Sequence, residues 1–190
     1  MNYPKGIKPH GKRQINYSNR GMSLEGDINL TNEYYRDKEI AYIYKKPTPI
    51  QITKVKYPNR SQAVITEAYF KEPSTTDYNG LYKGKYVDFE AKETNNLSFP
   101  LANIHKHQIN HIRAINKNKG VCFLIVRFNK YNKTFLLLAN DFIEYIDNNT
   151  RKSIPLSFFE KNAFIIEENY IPRIDYIKIL DKLLEVSNDK

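Results

Sequence analysis

The chain has 190 residues, which suits one domain or one domain with an appendage, and its 41% hydrophobic content supports a core. Thirty Lys and Arg stand against 21 Asp and Glu, a formal net charge of +9 that favours polyanionic partners. A single cysteine excludes an internal disulfide framework and any two-cysteine metal site. Cys122 lies in an apolar run and reads as a small core residue. The N-terminus has no signal-peptide pattern and no run reaches the length of a membrane span. The expectation is a cytoplasmic protein with no membrane partner.

Residues 1–20 form a basic arm, with Lys5, Lys8, Lys12, Arg13 and Arg20 and no acid before Glu25. Such a segment buries too little to fold alone, so a flexible arm is expected. Helical spacing begins near Met22, with Ser23 as N-cap and Leu24, Ile28, Tyr34 and Tyr35 on one broad face. Strand-like runs follow at 41–44, 50–55 and 63–70, punctuated by Pro47, Pro49 and Pro58. Residues 45–60 are rich in base and nearly free of acid. They predict a hairpin or projecting ribbon that turns near Pro58-Asn59. Residues 86–93 predict a further strand. Residues 103–117 predict a helix ended by Gly120, with Ile104, Ile109, Ile112 and Ile115 inward. The continuous apolar run 121–128 predicts a central strand buried on both faces, with 135–139 pairing beside it. Asn140 or Asp141 is placed to cap a short helix through Tyr145, and 173–186 predict a terminal helix. The fold class is α/β, as a mixed sheet with flanking helices rather than a doubly wound one. Residues 21–190 read as a single domain with a stalk insertion at about 46–70.

Chemistry concentrates at Asp77 and at 86–92. Strand side chains alternate, so Asp88, Glu90 and Lys92 share one face while Val87, Phe89 and Ala91 share the other. The apolar set is expected to seal the core and the polar set to face a cleft. Gly80 and Gly84 allow a turn that returns Asp77 beside Glu90. Two converging carboxylates suit a hard cation such as magnesium, which takes oxygen ligands and keeps several waters. A neighbouring lysine can bind a phosphate oxygen, help deprotonate the attacking water or offset transition-state charge. The competing reading is a surface strand of alternating acid and base. Asp88 shares the face and competes for a metal role, an outer-shell or structural part being favoured. His105, His107 and His111 crowd one helix, but no cysteine or third ligand completes a zinc site. A phosphate-facing helix is the preferred reading.

Asp77 followed by Glu90-Ala91-Lys92 resembles the D-(x)n-E-x-K signature of the restriction-endonuclease-like nuclease superfamily. The likeness continues through Asn19-Arg20-Gly21-Met22, Leu24-Glu25, Ile28-Asn29, Thr31-Asn32, Tyr34-Tyr35, Thr76-Asp77-Tyr78-Asn79-Gly80, Asp88-Phe89-Glu90-Ala91-Lys92-Glu93-Thr94, Phe99-Pro100 and His107-Gln108. Taken together, the chain resembles the RecU family of Holliday junction resolvases. Thr76 stands where the superfamily often has proline, a departure that suits the narrower family.

The resemblance implies a restriction-endonuclease-like core with a projecting β stalk. It implies Mg2+, with Mn2+ as an alternative, held by Asp77 and Glu90, with Thr75 and Gln108 at further metal-site positions. Lys92 would stabilise the transition state and Glu25 would be an accessory acid. The stalk would enter the junction centre. Lys54, Lys56 and Arg60 would neutralise phosphates there, Tyr69 and Phe70 would stack on unpaired bases, and Arg20 would add backbone contacts. The implied activity is paired symmetric nicking of four-way junction DNA in recombination and repair. Symmetric nicks call for a twofold homodimer. RecA and branch-migration proteins are implied partners, and the implied location is cytoplasmic and nucleoid-associated. The competing functions are a non-catalytic basic DNA-binding protein and a duplex-cutting nuclease of the same superfamily.

Overall fold

A computed structural model of the chain describes residues 23–59, 62–71 and 75–188. The basic arm 1–20, with Arg20, and Arg60 on the ribbon lie outside the described residues. The first helix, α1 (Leu24–Asp37), starts where Ser23 caps it, its hydroxyl accepting from the Gly26 amide at 3.2 Å. Glu25 and Asp27 sit in its first turn and Arg36 in its last, each opposing the helix dipole. The chain then forms β1 (Tyr42–Lys45) and leaves the body as a ribbon of β2 (Ile50–Asn59) and β3 (Gln62–Phe70). It returns as the hairpin β4 (Tyr78–Tyr82) and β5 (Lys85–Thr94). After β6 (Ser98–Pro100) come α2 (Lys106–Lys117), β7 (Val121–Phe128), β8 (Lys133–Leu138), α3 (Ala139–Asn148), β9 (Ser153–Pro155), α4 (Leu156–Asn162), β10 (Phe164–Ile166) and α5 (Ile177–Asn188).

The main sheet runs β1-β4-β5-β7-β8-β10, and only the β5–β7 pairing is parallel. This is the mixed sheet with flanking helices that the sequence predicts. Strand alternation divides the core in two. Val87, Phe89, Phe123 and Ile125 join Leu24 and Ile28 of α1 and Ile177 and Leu180 of α5. Cys122, Leu124 and Val126 join Ile112 of α2, Phe142 of α3 and Phe159 of α4. Tyr78, Phe89 and Phe123 form a stacked column across three strands, with adjacent ring centroids 4.8 Å apart. Each such pair contributes about 0.5–1.5 kcal/mol beyond its burial. The column also holds the register of β5. A slip of one residue would drive Asp88 and Glu90 into this apolar layer.

Two glycines shape the hairpin. Lys83 (φ 46) and Gly84 (φ 72) both take positive φ in the two-residue turn, as tight hairpins require. Gly80 sits opposite Ile43, and a Cβ there would lie 2.0 Å from the Tyr42 carbonyl oxygen. Only a bare Cα lets β1 pair so closely with β4.

Several boundaries differ from the sequence reading. β2 runs through Pro58 to Asn59, which pairs with Gln62, so Pro58 lies within the strand. A two-stranded ribbon has only edge strands, which tolerate the missing proline donor. Ile104 is buried just ahead of α2, not on it. Lys119 takes the left-handed turn after α2 (φ 62), while Gly120 makes room for Ile115, whose Cγ2 would lie 2.7 Å from an added Cβ. Neither Asn140 nor Asp141 caps α3, because the helix begins at Ala139 and both lie within its first turn. Ile174 is likewise buried ahead of α5. The strands β4, β6, β9 and β10 and the helix α4 have no counterpart in the sequence reading.

Candidate active site

The β4–β5 hairpin brings Asp77 and Glu90 together. Tyr78 pairs with Phe89, and the backbone amide of Asp77 donates to Glu90 Oε2 at 3.1 Å. Lys92 Nζ lies 2.5 Å from Glu90 Oε1 and 3.7 Å from Asp77 Oδ2. The three side chains chosen from the sequence therefore form one cluster. Their surroundings differ from the expected open cleft. Glu90 is 0% exposed, because α2 and the second core close over this face of β5, while the Asp77 side chain remains 39% exposed. Burial, with the hydrogen bond and charge of Asp77, pushes the Glu90 carboxyl up to about 7, against the opposing pull of Lys92. Burial pulls the Lys92 ammonium down, but the Glu90 and Asp77 carboxylates outweigh it and raise the group.

Asp88 is the neighbour whose role the sequence left open. Its carboxylate is fully buried and fully partnered by protein. Oδ2 accepts from Lys46 Nζ at 2.8 Å and from the Tyr86 hydroxyl at 2.9 Å, and it faces His111 Nε2 at 3.2 Å. Oδ1 accepts from the Thr76 hydroxyl. These contacts give Asp88 a structural part. They also give His111, expected on a phosphate-facing helix, an inward carboxylate partner.

Glu25 and Thr75 line an open pocket of about 240 Å3 together with Asp77, Lys45, Lys46 and the Pro47–Pro49 segment. Glu25 pairs there with Lys45 at 2.5 Å. The Thr75 hydroxyl donates to the Thr76 carbonyl at 3.3 Å. Gln108 is buried, and its side-chain oxygen accepts from the His105 amide at 2.9 Å, a capping role at the start of α2. Lys54, Lys56, Tyr69 and Phe70 all lie exposed on the ribbon, Phe70 to 84%, and the Tyr69 hydroxyl donates to Glu67 at 2.8 Å.

The donor set fits a hard divalent cation. Every candidate donor atom is oxygen, and Glu90 Oε1 is buried without a well-directed hydrogen bond beside a cationic ammonium. Among the described residues no three of His, Cys, Asp or Glu cluster as a metal group. The two carboxylates would therefore be completed by neutral oxygens and water.

A second polar cluster escaped the sequence reading. Arg127 is the one charge in the apolar strand β7, and its guanidinium meets Asp27 Oδ2 at 2.7 Å and Glu168 Oε1 at 2.8 Å. Arg173 Nε lies 2.7 Å from Asp27 Oδ1, and Glu93 Oε1 accepts the Leu24 amide at 2.7 Å. The network ties the start of α1 to the central strand and to the segment before α5. A lone arginine within a buried strand was the available signal, since buried charge needs partners.

The family model described as "Recombination protein U" (RecU) matches residues 19–182. A Geobacillus protein named "Holliday junction resolvase RecU" is 54% identical, covering 94% of this chain and 90% of the relative. A relative of the same name from Staphylococcus saprophyticus is 47% identical over the whole of both chains. Among solved structures, the Archaeoglobus fulgidus Holliday junction resolvase Hjc is a loose match, with TM-score 0.42 and 9% identity over 70% of this chain and 93% of that chain. On the family match and these near-full-length relatives, the chain belongs to the RecU family.

Proposed function

We infer that this chain is a Holliday junction resolvase, an endonuclease that cuts four-way DNA junctions in recombination and repair. Its near-full-length relatives carry that name. The observation that carries the chemistry is the buried Glu90 carboxylate bound to the Asp77 amide and shared with Lys92. A pure DNA binder gains nothing from two acids set against phosphate. Asp77 and Glu90 would hold a divalent cation, Mg2+ with Mn2+ as an alternative, with Thr75 and Gln108 as further oxygen donors. The bound cation would supply charge neutralisation and a more acidic water. Lys92 keeps its proton and stabilises charge developing on the phosphate oxygens. Glu25, the accessory acid of this reading, lines the same pocket as Asp77 and pairs there with Lys45.

The ribbon, within a single nuclease domain of residues 21–190, supplies selectivity. It is exposed along its length and carries Lys54 and Lys56 for phosphates and Tyr69 and Phe70 for unpaired bases. Arg20 and Arg60 belong to the same reading, as do the basic arm 1–20, a twofold homodimer, contacts with RecA and branch-migration proteins, and a place at the nucleoid in the cytoplasm. No helix among the described residues is long and apolar enough to cross a membrane.

The test is a labelled mobile four-way junction incubated with and without Mg2+, with the nicks mapped on each strand. Symmetric paired nicks that require the cation are expected. Asp77→Asn and Glu90→Gln should bind the junction without cutting it. Equal cutting of a linear duplex of the same length would defeat the junction assignment.

A further inference from the structure

The ribbon joins the body through two legs, and both reach the candidate cation site. The first leg leaves β1 through Lys46, Pro47 and Pro49. The Lys46 amide donates to the Asp77 carbonyl at 2.8 Å, and its ammonium donates to Thr76 Oγ1 at 2.9 Å and to Asp88 Oδ2 at 2.8 Å. The second leg returns from β3 through Lys71, whose amide donates to the Pro49 carbonyl at 3.0 Å, and continues in sequence into Thr75-Thr76-Asp77. Asp88 receives both legs, accepting from the Thr76 hydroxyl on one oxygen and from Lys46 on the other. It stands on the same face of β5 as Glu90, two residues away, and the paired strands β4 and β7 hold β5 in place.

We propose that Asp88 is a positioning residue that clamps the ribbon's first leg and the Thr75–Asp77 loop into one unit, so that the seat of the ribbon sets the spacing of Asp77 from Glu90. The inference rests on the reading of Asp77 and Glu90 as the cation site. Asp88 is itself withdrawn from ligation, since protein donors occupy both of its oxygens. A carboxylate buried to this degree is costly unless its partners stay in place, so the cluster favours one arrangement over intermediate ones. The ribbon contributes little to holding its own position, because a two-stranded ribbon is marginal alone and nearly all of it is exposed. A DNA junction that grips the ribbon therefore acts on Lys46, and through Lys46 on Thr76 and Asp77. This links recognition of a branched substrate to the geometry of the cutting site, without any contact between Asp88 and DNA or cation.

The experiment uses the full chain with Asp88→Asn, Lys46→Met and Thr76→Val, and with Lys46→Arg and Thr76→Ser as conservative partners. Mg2+ binding to the DNA-free protein is measured by calorimetry. Junction affinity is measured without divalent ion, cleavage of saturated junction is followed against Mg2+ concentration, and melting temperature is recorded for each variant. Lys46→Met and Thr76→Val should keep junction affinity but bind Mg2+ about 10–100-fold more weakly, as loss of ligand-orienting partners does elsewhere. Cleavage should recover at high Mg2+, and Thr76→Ser should behave as wild type. If Asp88→Asn fails to fold, Lys46→Met and Thr76→Val carry the test. Unchanged Mg2+ affinity in both would overturn the proposal. So would a cleavage loss that follows melting temperature and vanishes on cooling, because the cluster would then support the fold alone. Should Asp77→Asn also leave Mg2+ binding intact, the cation-site reading itself is wrong. If Asp77→Asn abolishes binding while neither Lys46→Met nor Thr76→Val weakens it, only the positioning role fails.

Discussion

The main-chain amide of Asp77 donates to Glu90 Oε2 at 3.1 Å, so the exposed acid and the buried acid are joined through the backbone of the former. A backbone donor cannot swing away as a side chain can. The β4–β5 pairing, with Tyr78 opposite Phe89, thus brings the Asp77 main chain to Glu90, and the contacts of Lys46 and Thr76 with Asp88 hold the loop that leads into it.

Glu90→Gln should stabilise the cation-free protein above neutral pH. The Glu90 carboxyl is raised from 4.5 to about 7. In this window the folded state holds a proton that the unfolded chain releases, so this group's contribution is complete below about 4.5 and is lost as pH rises through about 7. Thermal melts from pH 4 to pH 8 in chelator should show the variant gaining on wild type by about 1–3 kcal/mol at the alkaline end. A constant difference across the range would show that Glu90 is not protonated in the fold.

Lys92→Met should separate cation binding from catalysis. The ammonium shares Glu90 and Asp77 with any bound cation but donates no ligand of its own. Mg2+ affinity by calorimetry should be kept or improved, while single-turnover cleavage falls by about 100–1000-fold. Asp77→Asn should lose both. Weaker Mg2+ binding in Lys92→Met would make the lysine a support of the cation site rather than of the transition state.

Shortening the ribbon by removing paired residues from the outer halves of β2 and β3 should leave melting temperature and Mg2+ binding near wild type. These strands form their own two-stranded sheet and place no side chain in either core. Preference for a four-way junction over linear duplex, read by competition gel shift, should fall. Unfolding of the shortened chain would show that the ribbon supports the body.

Arg127→Ala should cost about 3–5 kcal/mol in urea unfolding, because it leaves Asp27 buried with one of its two cationic partners removed. Junction cleavage per folded molecule should be unchanged, since the network lies on α1, the central strand and the segment before α5. Loss of less than about 1 kcal/mol would mean that Arg173 alone compensates the charge.

Part of this molecule was legible before folding. Ser23 caps α1 and β5 alternates acid with apolar because capping and strand alternation involve neighbours in the chain. β7 reads as a buried central strand because seven of its eight positions are apolar. The three-residue strands β6, β9 and β10 carry too few positions for any period to emerge. Lys46 gave no local signal, since its partner Asp88 lies 42 residues along the chain, and Thr76 meets the same carboxylate only through the way the loop before β4 folds back on β5. The same distance hid Arg127 with Asp27 and Glu168.

By itself the sequence determined the excess of positive charge, the mixed α/β class and the common face of Asp88, Glu90 and Lys92. Each of these follows from composition or from a repeat of two residues. Only the tertiary structure decided that Asp88 and Glu90 are sealed from water, that Asp88 holds the ribbon's leg and that Glu90 carries a raised pKa. The reason is that solvent exposure of a strand's polar face depends on what packs over it. Here the cover comes from α2 and the second core, elements brought there by packing between distant parts of the chain.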